Sequence, residues 1–333
     1  MYEPLLPNTP PDLAERKTLR RSANFVGTMI LMMFCANVLV SIVLIVLGSF
    51  GLLDLASDDL GLNNTAYLLV NMVLYLLFLP LPALFTAAAF KSRVHPFPAQ
   101  KVGGGLLVCL FLAGMGLAVL SNLLSGFLMD FLTALGVPYP TFPDTMELTA
   151  TSLVLNIVST AVLPAFAEEL IFRGYVQGAL KPFGNGIAIV LSAFLFGIFH
   201  GNILQFPFAF FMGLVFGWLF VATDSIWPCI LVHFGNNLMS VLLDWFAKAY
   251  PDTQTEQITV VFTVVAAIGV VALGALLLRD KGGFGHRDVL RPVHNGAAFF
   301  PVSKRVSMAL FSPVMLVALI VLAIQLLSSM VMA

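Results

Sequence analysis

Two glutamates and an arginine lie close together inside a long, mostly apolar stretch of this sequence. Glu168, Glu169 and Arg173 fall within residues 149–180. One charge at the centre of a bilayer costs about 3 kcal/mol or more, so three such charges must be paired, placed in a wet cavity or used. On a helix, Glu169 and Arg173 share a face, which predicts an ion pair. Glu168 is turned about 100° away from Glu169, which leaves it free to act as a general base.

Each of two histidines is four residues away from a second residue of interest, a spacing that puts both on one face of a helix. His200 comes four residues after Phe196, and Asn237 comes four residues after His233. A glutamate and a histidine can together hold and deprotonate a water molecule. A second histidine and an amide can stabilise a developing oxyanion, an effect worth about 3 kcal/mol. These groups suit the hydrolysis of a peptide bond without a covalent intermediate.

Two alternatives stay open for these residues. Glu168, His200 and His233 are candidate ligands for a divalent metal such as zinc, with an open position for water. The sequence contains no HExxH motif, and neither histidine is clearly paired with a serine or cysteine nucleophile. Water activated with a metal and water activated without one are therefore both possible, and no other cofactor is predicted. A plainer alternative is that the charges only stabilise a kink near Pro164.

The composition predicts the elements that must position these groups. Of the 333 residues, 59% are hydrophobic and 10% are charged, whereas soluble domains carry about 25% charged residues. Apolar runs longer than about 18 residues recur along the chain, which indicates an all-α polytopic, multi-pass integral membrane protein. The three cysteines lie in separate apolar segments without a CxxC motif, so we interpret them as buried small side chains.

Nine apolar segments predict about nine transmembrane helices. Their approximate ranges are 23–51, 65–90, 105–132, 149–180, 185–200, 203–222, 226–247, 257–278 and 307–332. Pro80 and Pro82 are expected to kink the second of them. The chain then divides into a cytoplasmic basic tail, three N-terminal helices, a four-helix core, and two C-terminal helices joined by a basic cytoplasmic loop. The boundaries of these parts are 1–22, 23–148, 149–247 and 248–333.

The distribution of basic residues predicts the orientation. With a cytoplasmic N-terminus, 15 of the 16 lysines and arginines fall on the cytoplasmic side, and only Lys248 falls outside. This bias is the one expected of membrane proteins. In the same topology Glu168 lies roughly 18 Å above the inner end of its helix, His200 roughly 22 Å, and His233 and Asn237 roughly 10–17 Å. We therefore expect the four side chains to meet at one depth.

The three motifs together resemble those of the CPBP family, the CAAX-protease and bacteriocin-processing (Abi/Rce1-like) intramembrane endopeptidases. The motifs are Glu168-Glu169-x-x-x-Arg173, Phe196-x-x-x-His200 and His233-x-x-x-Asn237. The resemblance covers about residues 149–247. It implies that Glu168 and His200 activate water and that His233 and Asn237 line the oxyanion site. Glu169 and Arg173 would support that site. Members of this family are also described as metalloproteases, so the resemblance leaves the metal open.

The resulting hypothesis is an intramembrane endopeptidase whose substrate is a membrane-associated peptide or protein. The other expected partner is the lipid bilayer, because the basic loop before the last helix is expected to contact anionic headgroups rather than nucleic acid. Two rival functions are an ion-coupled transporter and a non-catalytic bacteriocin-immunity protein on the same scaffold. Gly213 and Gly217 form a GxxxG motif that predicts close helix packing within the chain.

Overall fold

The computed structural model describes residues 10–57, 59–92, 94–136, 146–279 and 299–329. These ranges are built from helices and contain no named β-strand, which confirms the predicted all-α class. Within them, seven helical segments are long and apolar enough to cross a membrane. They are Pro11–Ser49, Asn64–Ala89, Gly104–Ala134, Ala150–Phe183, Phe206–Thr223, Trp227–Ala249 and Pro251–Leu278.

The first helix, α1 (Pro11–Ser49), begins earlier than predicted. We expected residues 1–22 to form a basic tail, but residues 11–22 belong to the helix, and residues 1–9 lie outside the described part. Pro11 suits the first turn of a helix because its missing N–H would have no partner there. Leu19 and Ser22 are fully buried. The Glu15 carboxylate accepts bonds from the backbone N–H groups of Phe299 and Phe300 at 2.7 and 3.2 Å, so the start of α1 packs into the fold.

The second predicted span is interrupted where its prolines begin. It consists of α2 (Asn64–Phe78) and α3 (Pro80–Ala89), separated at Leu79. The Asn63 side chain caps α2 by accepting a hydrogen bond from the Ala66 N–H at 2.9 Å. The helix is therefore interrupted at the position where Pro80 and Pro82 were predicted to kink it, and Asn64–Ala89 still forms one span. The third span, α4 (Gly104–Ala134), is continuous.

The fourth span, Ala150–Phe183, is the most irregular helix of the structure. Its segments are α5 (Ala150–Asn156), a π-helix (Ile157–Val162), α6 (Leu163–Glu169), a second π-helix (Leu170–Gln177), α7 (Gly178–Leu180) and a 3₁₀ turn (Lys181–Phe183). π-Helical turns inside α-helices are frequent at functional sites. The two glutamates stand at the end of α6, between the π-helices.

The remaining core helices are α8 (Asn185–Phe199), α9 (Phe206–Thr223) and α10 (Trp227–Ala249). The predicted fifth span corresponds to α8, but its 15 residues rise only about 22 Å, less than the roughly 30 Å hydrocarbon core. A Cβ atom on Gly213 would lie 2.8 Å from the Ala193 Cα atom. The predicted close packing of the GxxxG helix is therefore confirmed, with α8 as its partner.

Three helices complete the chain: α11 (Gln254–Arg279), α12 (Val302–Leu310) and α13 (Pro313–Ser329). The last span was predicted as one helix over residues 307–332, and this prediction is wrong in shape. It is a pair of helices bent by 67°, broken just before Pro313, whose ring cannot continue a helix from the preceding turn. The nine predicted spans thus correspond, in the described residues, to seven long helices, one short helix and this bent pair.

Candidate active site

A buried carboxylate joins two of the sequence motifs. One oxygen of Glu169, Oε1, accepts hydrogen bonds from Arg173 Nη1 at 3.2 Å and from His233 Nδ1 at 2.9 Å. The side chains of Glu169 and Arg173 are both fully buried. The ion pair predicted between these two residues is therefore present, and the same glutamate also orients the histidine of α10.

The Arg173 guanidinium is held on several sides. Its carbon Cζ lies 4.5 Å from the ring centre of Phe196 and 4.9 Å from that of Phe216. Its Nη2 donates to the Gly213 carbonyl at 3.4 Å. Cation–π contacts and charge-assisted bonds of this kind stabilise a guanidinium that has left water. Arg173, which belongs to the helix Ala150–Phe183, therefore contacts both α8 and α9.

One ring nitrogen of His233, Nδ1, is hydrogen-bonded to the buried Glu169 carboxylate. Because the Glu169 carboxylate only accepts, His233 Nδ1 carries a proton and donates it. The imidazole stacks on the Phe216 ring, with ring centres 5.2 Å apart and an angle of 16° between the planes. Its other nitrogen, Nε2, lies 3.8 Å from Glu168 Oε2, which is too long for a hydrogen bond. Nε2 is thus the nitrogen left for other partners.

Glu168 points to a different side of the helix from Glu169, as predicted. Its Oε1 accepts a hydrogen bond from the Tyr75 hydroxyl of α2 at 3.0 Å. Its side chain is 15% exposed, in contrast to the fully buried Glu169. The sequence analysis missed Tyr75, because a phenol in an apolar span carries no signal of its partner.

His200 follows the last residue of α8 and is exposed. Its Nδ1 lies 2.7 Å from the main-chain carbonyl of Phe196. Since a carbonyl can only accept, Nδ1 donates, and Nε2 of the neutral ring keeps its lone pair. The Phe196 ring meets the imidazole edge-on, with ring centres 4.9 Å apart. The spacing of four residues between Phe196 and His200 therefore orients a potential base.

Two asparagines of α10 form a relay with the helix Ala150–Phe183. Asn237 Nδ2 donates to the Thr160 carbonyl at 2.9 Å, and Asn236 Nδ2 donates to Asn237 Oδ1 at 3.0 Å. Pro164, four residues after Thr160, has no N–H to offer that carbonyl. These bonds fix which way the Asn237 amide faces. Asn236, buried and adjacent in sequence, was missed as a site residue.

One cavity of about 390 Å³, which we call the core cavity, brings the predicted residues together. Its polar lining residues are Ser159, Thr160, Glu168, His200, Gln205, His233, Asn236 and Asn237. Glu168, His200, His233 and Asn237 thus converge from three separate helices, as their predicted depths required. Glu169 and Arg173 do not line the cavity but lie behind it, where they hold His233.

The predicted metal ligands do not form a ligand set. Glu168, His200 and His233 share the core cavity, but across the described ranges no group of three or more histidine, cysteine, aspartate or glutamate side chains could hold a metal ion. Zinc requires its ligands to converge at about 2 Å from one point. These residues in this arrangement do not fit a metal, so no step of the chemistry below is routed through one.

Comparison with known proteins points to the same segment. Residues 150–239 match the family described as type II CAAX prenyl endopeptidase Rce1-like. The chain is also 27% identical over 164 residues to the "Putative membrane peptidase YdiL" of Bacillus subtilis (strain 168), a match that covers 49% of this chain and 67% of that protein. No solved structure matches the chain. Residues 150–239, which hold all three motifs, are thus similar to the Rce1-like domain of the CPBP family, and both comparisons support that family.

Proposed function

We propose that this protein is an intramembrane endopeptidase that hydrolyses peptide bonds of membrane-associated peptides or proteins with a water molecule activated by Glu168 and His200. The observation that carries the proposal is the convergence of Glu168, His200, His233 and Asn237 on one cavity. Ionisable groups inside a membrane are costly and typically functional. The family supports a membrane protease, and the comparisons favour neither a transporter nor a non-catalytic immunity protein.

In the proposed reaction, the water molecule is held by the Glu168 carboxylate and the free Nε2 lone pair of His200. The water oxygen bonds to the scissile carbonyl carbon while its proton passes to Glu168. The carbon–nitrogen bond then breaks, and Glu168 returns the proton to the leaving nitrogen. The products are a carboxylic acid and an amine, and the acid then passes its proton to the amine. Tyr75, which donates to Glu168 Oε1, leaves Oε2 to face the water.

The oxyanion that forms in this reaction needs donors on the other side of the cavity. Asn237 supplies an amide, and His233 supplies Nε2 when its ring is protonated on both nitrogens. Glu168 is neutral at this point because it has taken the proton of the water. The positive charges of Arg173 and protonated His233 then balance the negative charges of Glu169 and the oxyanion. Fixed donors that point at a developing negative charge stabilise the transition state strongly.

The test is an assay with purified protein in liposomes and a pool of membrane-anchored peptides with quenched fluorophores. We expect Glu168→Gln and His200→Ala to lower kcat by at least about 100-fold, since general acid–base groups contribute about 10² to 10⁴. Glu256→Gln, at the exposed start of α11, is the matched control and should cleave as the wild type does. Runs with and without EDTA separate the two routes of water activation. Unchanged cleavage by Glu168→Gln rules out the assignment.

A further inference from the structure

A second cavity, which we call the side cavity, is also lined by Glu168 and His200. It has a volume of about 230 Å³, and these two residues line both cavities. Phe34 of α1, Phe78 of α2 and Gln325 of α13 form parts of its wall. Those helices lie outside residues 150–239, the segment that matches the family. The flanking helices therefore add a compartment that the core does not contain by itself.

Two side-chain carboxamides line the side cavity. Asn37 of α1 and Gln325 of α13 both line it and are both partly exposed. Within the described ranges, neither side-chain amide has a hydrogen-bond partner. A Cβ atom on Gly201 would lie 2.4 Å from Gln325 Nε2, so this amide sits against the turn that follows His200. Two unpaired amides thus line the same cavity as Glu168 and His200.

The rest of the wall is mostly aromatic: Phe34, Tyr75, Phe78, Leu79, Phe172 and Phe199. The Tyr75 hydroxyl already donates to Glu168, so the other wall groups offer the amides no hydrogen bond. A polar group in such surroundings costs free energy until it finds a partner. A carboxamide offers both donors and an acceptor, which is the complement of a peptide unit. A peptide segment entering a membrane protein must in turn satisfy its own N–H and C=O groups. An uncharged, extended stretch of peptide backbone meets both requirements.

The chemistry assigns a direction to such a peptide. The oxyanion partners His233 and Asn237 line the core cavity but not the side cavity. The leaving nitrogen, by contrast, must be close to Glu168 to receive its proton. We propose that the side cavity binds the substrate backbone on the leaving-group side of the scissile bond, with Asn37 and Gln325 bonding a peptide unit there. This inference rests on the proposed function.

The test combines variants with backbone changes in a cleaved peptide. Single amides after the scissile bond are replaced by esters, which removes one N–H and weakens one acceptor. In the wild type, one such ester should lower kcat/KM about tenfold, the effect of one net hydrogen bond. Asn37→Leu and Gln325→Leu should each lower kcat/KM for the all-amide peptide about tenfold. In the variant that lacks the amide bonded to the replaced peptide unit, the same ester should lower kcat/KM by less than about a further twofold.

Matched controls separate this site from a general loss of structure. Asn122→Leu removes an amide from α4, where Asn122 bonds the Ala118 carbonyl, and should leave the ester effect unchanged. Esters before the scissile bond should cost the same in all variants. The inference is overturned if an ester after the scissile bond still lowers kcat/KM about tenfold in both Asn37→Leu and Gln325→Leu. It is also overturned if these variants lose only the effect of esters before the scissile bond.

A second measurement keeps the site testable if the wild type cleaves no peptide, a result that defeats the proposed function itself. The same peptides, carrying a diazirine on either side of the candidate bond, are photo-crosslinked to Glu168→Gln protein and the labelled residues are mapped by mass spectrometry. Labelling of α1 near Asn37 or α13 near Gln325 supports the side cavity as a peptide site. Labelling confined to other helices overturns it.

Discussion

Asn237 donates its side-chain amide to the main-chain carbonyl of Thr160 at 2.9 Å, and this is the carbonyl that Pro164 leaves without an α-helical donor. The proline that interrupts one helix thereby provides an acceptor for the side chain of another. The result is an amide held at the wall of the core cavity before any substrate arrives. Preorganised donors of this kind are the ones that lower a barrier most.

Replacing this proline tests the relationship. In Pro164→Ala, a new N–H can bond the Thr160 carbonyl and displace Asn237. We expect kcat to fall about tenfold, the effect of losing one oriented hydrogen bond, while the unfolding temperature does not fall, because alanine suits a helix interior better than proline. The measurements are peptide cleavage and thermal unfolding in detergent. Pro251→Ala, at an exposed turn, is the control, and equal kcat values for the two variants would contradict the relay.

Tyr75 is expected to act as a positioning residue for Glu168. In Tyr75→Phe the carboxylate loses a donor at 3.0 Å, and hydrogen bonds to charged groups are worth about 1.5–3 kcal/mol. We expect kcat to fall between about tenfold and 100-fold with KM nearly unchanged, as measured by steady-state cleavage. Tyr67→Phe makes the same chemical change two turns earlier on α2 and should have no effect. A rise in KM alone would show that Tyr75 contacts substrate instead.

Substitution of Glu169 should mainly lower the stability of the protein, whereas substitution of Glu168 should mainly lower its activity. Glu169→Gln leaves the Arg173 guanidinium buried without its counter-charge, and breaking a buried pair in this way costs about 3–5 kcal/mol. Glu168→Gln, at a partly exposed position, should abolish cleavage and change the free energy of unfolding by less than about 1 kcal/mol. Chemical denaturation in detergent measures both. Equal destabilisation by the two substitutions would refute this division of roles.

Gly213 should tolerate no side chain. A Cβ atom there would lie 2.8 Å from the Ala193 backbone, and the Gly213 carbonyl also holds Arg173. We expect Gly213→Ala to lower the free energy of unfolding by about 1–3 kcal/mol. Gly126→Ala is the matched control, since a Cβ atom there meets nothing within 4 Å. In that variant stability should hold or rise by up to about 1 kcal/mol.

The orientation predicted from the basic residues has its own test. Single cysteines placed at Lys101 and Lys248, in a variant without the native cysteines, should differ in reactivity toward a membrane-impermeant maleimide on intact cells. Only the cysteine at position 248 should react, because Lys248 is the one basic residue predicted outside. Reaction at position 101 instead would invert the topology.

Several features of this protein could be predicted from the sequence because they depend on residues close together in the chain. Hydrophobic runs indicated membrane helices, Pro80 and Pro82 indicated an irregularity in the second span, and the spacing of Glu169 and Arg173 indicated an ion pair. Each follows from helix geometry and the cost of charge in an apolar medium. The length of α1 and the bend before α13 were not predicted, because packing against distant segments decides where a helix starts and turns.

Only the tertiary structure decided which polar groups meet. The sequence predicted a common depth for four side chains, but it could not show that Glu169 bonds His233 or that Tyr75 bonds Glu168. It also could not show that Asn37 and Gln325 line a cavity with Glu168. The two hydrogen bonds join residues 64 and 93 positions apart, and they depend on how each helix is rotated about its own axis. That rotation is set by the sum of many packing contacts between helices, among them the close approach at Gly213, and no local pattern in the sequence records it.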